Sequence, residues 1–191
     1  MNLKNSSSSY GALSKLIHWS IALLVIGLFA SGFWMTGLGY YDDWYHEAPE
    51  LHKSFGLLLL FIWLARLGWL MVNAKVEHPG LKAWEVLASK LTQQFMQLLV
   101  IVVIITGYLM STADGRAVPF FELFEIPAIY EKQGMEDFTG WIHEIVAYVL
   151  IGLAAGHGAM ALKHHFINAD GVLKSMLPQF KRSNKSSGNE T

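Results

Sequence analysis

The chain has 191 residues, 53% of them hydrophobic and 15% charged, with a mean hydropathy of +0.34, which is too apolar for an ordinary soluble domain and makes a membrane protein the expected class. It contains no cysteine, which excludes disulfides, thiolate nucleophiles, iron–sulfur ligation and covalent c-type haem attachment. The formal net charge of −1 names no partner, no nucleic-acid partner is expected, and metal chemistry falls to the eight histidines.

In chain order, Met1 to Ser9 are polar and serine-rich and read as a disordered part of a cytoplasmic arm spanning residues 1–12. The first apolar run extends from Leu13 to about Trp34. With His18 inside it and three comparable runs after it, it reads as a retained span rather than a cleaved signal peptide. Further runs cover Leu51 to Val72, Leu91 to about Met110, and about Phe138 to Leu162. The expected architecture is an all-α membrane protein, a four-transmembrane-helix bundle occupying residues 13–177. Between the first two runs, Tyr40, Tyr41, Trp44 and Tyr45 suit an interfacial belt in contact with lipid headgroups. The segment Asn73 to Lys90, with His78-Pro79-Gly80, reads as a turn and a cytoplasmic extension of the third helix. The stretch VPFFELFEIPAIY, within the loop from Ser111 to Asp137, is too short to span and is expected to form a short helix on the outer surface. The tail 178–191 is expected to be disordered.

Charge placement orients the bundle. Lys4, Lys15, Lys75, Lys82, Lys90, Lys163, Lys174, Lys181, Arg182 and Lys185 gather on one side, against Lys53, Arg116 and Lys132 on the other, so both termini are expected in the cytoplasm. The outer side holds eleven acids, leaving it at −8.

The histidines then sort by depth. His143 and His157 are fourteen residues apart in WIHEIVAYVLIGLAAGHGAMALKHH, which places them on one helix face roughly 21 Å apart. His18 shares the inner level with His157, and His52 shares the outer level with His143. Two pairs of imidazoles underfill a zinc site but suffice for haem iron, to which the porphyrin supplies four nitrogens. Gly152, Ala154, Ala155, Gly156 and Gly158 around His157, and Gly56 after His52, allow a flat macrocycle to approach the backbone. Arg66, fourteen residues after His52, is expected to meet an anion, for which an inner haem propionate is the candidate. His164 is the alternative inner ligand, but Lys163 marks the membrane edge, so His157 is preferred and His164 becomes a candidate for quinone protonation or hydrogen bonding. His46 and His78 read as loop residues. Trp19, Phe55, Trp63 and Trp141 line haem edges or simply pack.

These residues resemble the bacterial cytochrome b561 group of four-helix di-haem membrane proteins. The resemblance is carried by Leu16 to Trp19 (LIHW), by His52, Gly56 and Arg66 (H-x3-G-x9-R), and by Trp141, His143 and Glu144 (W-x-H-E) with His157 and the His164-His165 pair. It implies an inner-membrane cytochrome with two haem b groups that exchanges electrons with the quinone pool, ubiquinone being its substrate or bound cofactor. The outer partner is then a periplasmic redox protein or small redox molecule, and no catalytic side chain is assigned. One family activity is superoxide oxidation coupled to ubiquinone reduction. Collecting an anion calls for a cationic surface, so the acidic outer face fits a cationic or neutral partner better, with Lys53 and Arg116 the candidates for a local positive funnel. A histidine-lined metal or proton transporter is the alternative from another class.

Overall fold

The computed structural model describes residues 2–6, 9–76 and 81–177. His78 and its turn, and the tail 178–191, lie outside them. Four helices dominate: α1 Ala12–Met35, α2 Glu47–Val72, α3 Ala83–Thr112 and α4 Met135–Lys163. All four are long and apolar enough to cross a membrane; even the 24 residues of α1 reach about 36 Å, against a hydrocarbon core of about 30 Å. Three helices start several residues earlier than their apolar runs because polar first turns are tolerated outside hydrocarbon. Glu47 and Glu50 in α2, and Glu136 and Asp137 in α4, lie in first turns where they complement the helix dipole.

Each helix packs against its neighbours in chain order, and α1 closes the ring against α4, so α2 and α4 face each other across a diagonal. Leu59 and Trp63 of α2, Leu99, Val100 and Val103 of α3, and Leu150 of α4 fill the interior, with Ile21, Leu24, Val25 and Leu28 of α1 against them. Large apolar side chains such as Leu23, Ile26 and Phe33 point outward, the arrangement hydrocarbon surroundings favour.

The outer loop departs from the expected surface helix. Val118–Phe120 (β1) and Phe124–Ile126 (β2) pair antiparallel instead, with Val118 opposite Ile126. Pro119 and Pro127 interrupt helical hydrogen bonding, and the aromatic run suits a ribbon packed on a surface. The connecting turn closes through Leu123 N–H to the Phe120 carbonyl at 2.9 Å. Phe121 and Glu122 both adopt left-handed backbone there, with φ of 45° and 58°, a strained choice for residues with side chains. The buried Ser54 of α2 pins the ribbon: its hydroxyl donates to the Pro119 carbonyl and accepts from Phe121 N–H, each at 3.1 Å. Phe55 meets Phe121 edge-on at 5.0 Å.

At the opposite end the start of α1 and the end of the chain's described part meet. Lys15 Nζ donates to the Leu177 carbonyl at 2.9 Å and Trp19 Nε1 to that of Met176 at 3.0 Å. Asn5, expected in a disordered arm, is tied down. Its backbone N–H reaches Asn73 Oδ1, its side-chain amide reaches the Ala74 carbonyl, and its Oδ1 accepts from Gly11 N–H and Ser14 Oγ. After α4 the chain tightens into a π-helical turn, His164–Asn168, and ends in α5, Val172–Met176.

Candidate functional site

The outer site forms on the α2/α4 diagonal. The ring centres of His52 and His143 are 6.3 Å apart, with their planes at 74°. Metal–imidazole bonds of about 2 Å each, plus about 1 Å from each nitrogen to its ring centre, put two axial histidines about 6 Å apart centre to centre. The pair therefore fits one iron between its two rings.

Nδ1 of each ring is engaged by a neighbouring helix. His143 Nδ1 lies 2.8 Å from the Val103 carbonyl oxygen of α3; a carbonyl only accepts, so Nδ1 carries the proton and Nε2 keeps its lone pair. His52 Nδ1 lies 3.0 Å from Ser31 Oγ of α1. Glycine follows the hydroxyl residue on each supporting helix. A Cβ on Gly32 would stand 3.3 Å from His52 Cε1, and one on Gly107 would stand 2.9 Å from His143 Cε1. Ser31-Gly32 and Thr106-Gly107 thus flank the two imidazoles as matching pairs that sequence reasoning missed. Their signal, a hydroxyl–glycine dipeptide inside an apolar run, is shared with plain helix packing.

The inner site gathers His18 of α1, His157 of α4 and Arg66 of α2. Arg66 and His157 both lie within electrostatic reach of His18, and Arg66 acts on His157 as well. Sequence reasoning also missed Tyr10, just before α1; burial pushes its phenol above the ordinary value, and the nearby Arg66 charge works against that rise. One turn before Arg66, the buried Trp63 Nε1–H has no hydrogen-bond partner among the described residues. A guanidinium and an orphaned indole N–H in the bundle interior make a donor set suited to a carboxylate such as a haem propionate. A Cβ added at Gly56, Gly152, Gly156 or Gly158 would meet no atom within 4 Å, so these positions leave room for a flat group.

His164 stands apart from the inner pair. Its Nδ1 is bonded to Asp170 Oδ2 and lies 3.2 Å from Asn168 Nδ2, inside the π turn. Burial works to raise the Asp170 carboxyl, but its hydrogen bonds from His164 and Val172 N–H outweigh this and hold it below the ordinary range. The remaining aromatic candidates divide. Trp19 meets His18 edge-on at 5.6 Å, Trp63 belongs to the core, Phe55 packs on the ribbon, and Trp141 is exposed beside Phe138. His46 packs against Tyr40 and Tyr45 in the outer loop.

The face expected to be outer is acidic. Asp42, Asp43, Glu47, Glu50, Asp114, Glu122, Glu125, Glu131, Glu136, Asp137 and Glu144 are all exposed. Of the two residues suggested for a positive funnel, Lys53 is half-buried and Arg116 is held by Asp114 at 2.5 Å. Among the described residues no three His, Asp or Glu side chains gather to hold a metal ion; a pair of imidazoles supplies the two ligands that a porphyrin's four nitrogens leave open.

A family model described as prokaryotic cytochrome b561 matches residues 9–179. Cytochrome b561 homolog 2 of Escherichia coli (strain K12) is 41% identical over 179 residues, covering 93% of this chain and 95% of that protein. Cytochrome b561 homolog 1 of the same organism is 23% identical over 173 residues, covering 86% and 94%. A helical bundle of four spans and matches along nearly the whole chain lead to one conclusion: the chain belongs to the prokaryotic cytochrome b561 family, haem-carrying electron-transfer proteins embedded in the bacterial inner membrane.

Proposed function

We propose that the chain is a di-haem b-type cytochrome that moves single electrons across the inner membrane between a periplasmic-side redox partner and the quinone pool. His52 and His143 would hold the iron of the outer haem, and His18 and His157 that of the inner one. The observation that carries the reading is the outer pair, whose 6.3 Å ring separation suits one iron while Nδ1 of each ring is already engaged. Bound haem supplies one-electron redox chemistry; the chain sets ligation, counter-charge and spacing. Arg66 supplies positive charge for an inner propionate, and the diagonal of α2 and α4 holds the outer imidazoles apart by the width of one metal. His164, buried at the inner end with its Nδ1 tied to Asp170, is placed to donate or accept a proton at a quinone near that face.

Superoxide:ubiquinone oxidoreduction is the competing activity. The exposed acids, with Arg116 neutralised by Asp114, repel an anion and favour a cationic or neutral outer partner. Reduced-minus-oxidised spectra with haem quantification test the cofactor reading, which requires b-type bands and two haems per chain; one haem, or none, sinks it. Mixing superoxide with protein and a ubiquinone analogue tests the rival, which requires quinol to form at a rate above that of a haem-free control.

A further inference from the structure

Ser31 carries a single hydroxyl proton, and two groups stand within reach of its oxygen. The Leu28 carbonyl lies 3.1 Å away, one turn back along α1, and can only accept. The His52 Nδ1 lies 3.0 Å away, across the α1/α2 interface. With the proton directed to Leu28, as serines commonly do inside membrane helices, Oγ presents lone pairs to the imidazole. It then accepts from Nδ1–H, which leaves Nε2 unprotonated. Gly32 completes the arrangement. A Cβ there would come within 3.3 Å of His52 Cε1, so glycine after Ser31 lets the ring lie close against α1 without a small displacement.

The two outer imidazoles therefore differ in how they are held. His143 donates to a backbone carbonyl, Val103 O at 2.8 Å, an acceptor that no substitution at position 103 deletes. His52 depends on one side-chain hydroxyl. We infer that Ser31 is a positioning residue of the outer haem site that fixes the His52 tautomer and, by accepting from Nδ1–H, sets the electron-donating strength of that axial ligand. This rests on the assignment of His52 and His143 as haem ligands. A partner on the distal nitrogen raises ligand basicity, and a more basic imidazole stabilises ferric iron over ferrous. Removing the acceptor shifts the outer midpoint potential upward.

The test is equilibrium redox titration, followed in the visible, of the His157→Ala protein, in which the outer haem is the one retained. Adding Ser31→Ala should change the reduction equilibrium constant about tenfold in favour of the ferrous form, ~59 mV for one electron. Ser31→Thr, which keeps the hydroxyl, should leave the potential near that of the parent. A midpoint unmoved by Ser31→Ala, or moved equally by both substitutions, overturns the inference. If Ser31→Ala cannot hold haem, Ser31→Cys replaces it; a weaker acceptor of similar shape must also raise the midpoint, and a potential equal to the parent's overturns the idea. A His157→Ala protein carrying no haem, or two, refutes the ligand assignment rather than the role of Ser31.

Discussion

His143 Nδ1 lies 2.8 Å from the carbonyl oxygen of Val103, forty residues earlier on the neighbouring helix. A helix that carries no histidine thereby governs how a histidine on another helix is presented. Thr106 and Gly107 follow one turn later, and the Thr106 hydroxyl lies 3.1 Å from the same Val103 oxygen, whose two lone pairs can serve both donors. Thr106 Oγ donates back to the Val102 carbonyl at 2.8 Å, and Gly107 leaves the imidazole room beside the α3 backbone. The role of α3 in the outer site is steric and orienting.

Gly107→Ala should consequently cost the protein its outer haem. The new Cβ would stand 2.9 Å from His143 Cε1 and 3.0 Å from its Nδ1, and the ring must move. Alanine in a helix interior is favoured over glycine by about 1 kcal/mol, so a loss cannot be assigned to a weakened helix. Haem quantification of the purified variant should fall from two per chain to about one. Gly32→Ala, whose Cβ clears His52 Cε1 by 3.3 Å, should keep both haems. Full haem occupancy in Gly107→Ala would show that the ring has another seat.

His157→Ala should remove the inner haem alone, and His52→Ala the outer one alone. The two histidines of α4 are fourteen residues apart, about 21 Å along the axis, so the levels are independent. Absorbance per chain should halve in each variant, with different residual spectra. Loss of the same haem in both variants would refute the pairing by depth.

How much of this could be read from residues alone follows from the kind of constraint involved. Four spans were legible because each apolar run exceeds what a soluble core requires. The meeting of His52 with His143 was legible because alternating helix directions fix depth, and depth restricts partners. Ser31, Gly32, Thr106 and Gly107 were not, since small residues and hydroxyls also serve ordinary packing between membrane helices. The ribbon at Val118–Ile126 was read as a helix because a short apolar run fits both; Ser54, sixty-five residues from Pro119, decides the matter through a long-range contact. Asn5 shows the same limit, for its partners Asn73 and Ala74 lie beyond two helices.

The His164–Asp170 contact predicts an acid-sensitive inner end. The folded Asp170 carboxyl lies below its ordinary value, so its contribution to stability is present above the unfolded carboxylate pKa of about 3.9. It is lost as the pH falls through the lower folded value. Hydrogen exchange at amides 164–172, corrected for its intrinsic pH dependence, should accelerate below about pH 4. Asp170→Asn should accelerate the same amides at neutral pH by about fivefold, the worth of one net hydrogen bond. It should also flatten the acid response. An unchanged acid response in Asp170→Asn would mean that another group controls this end.

The acidic outer face makes a prediction about rates. All eleven acids there are exposed, while Lys53 is half-buried and Arg116 is engaged by Asp114. Charges on such a face act over about 30 Å at 10 mM salt but only about 8 Å at 150 mM. In an uncharged detergent, the dithionite-reduced protein should be oxidised quickly at low salt by a cationic one-electron acceptor such as hexaammineruthenium(III). That rate should fall roughly tenfold over the same salt range, within the span of electrostatic steering. Ferricyanide, an anion, should show the opposite slope. Replacing Glu122 and Glu125 on the ribbon by glutamine should reduce both slopes without changing the haem spectrum. Equal salt dependence for the two acceptors would mean that electrons leave by an edge the acids do not surround, for carriers of opposite charge approaching through one anionic face cannot respond alike.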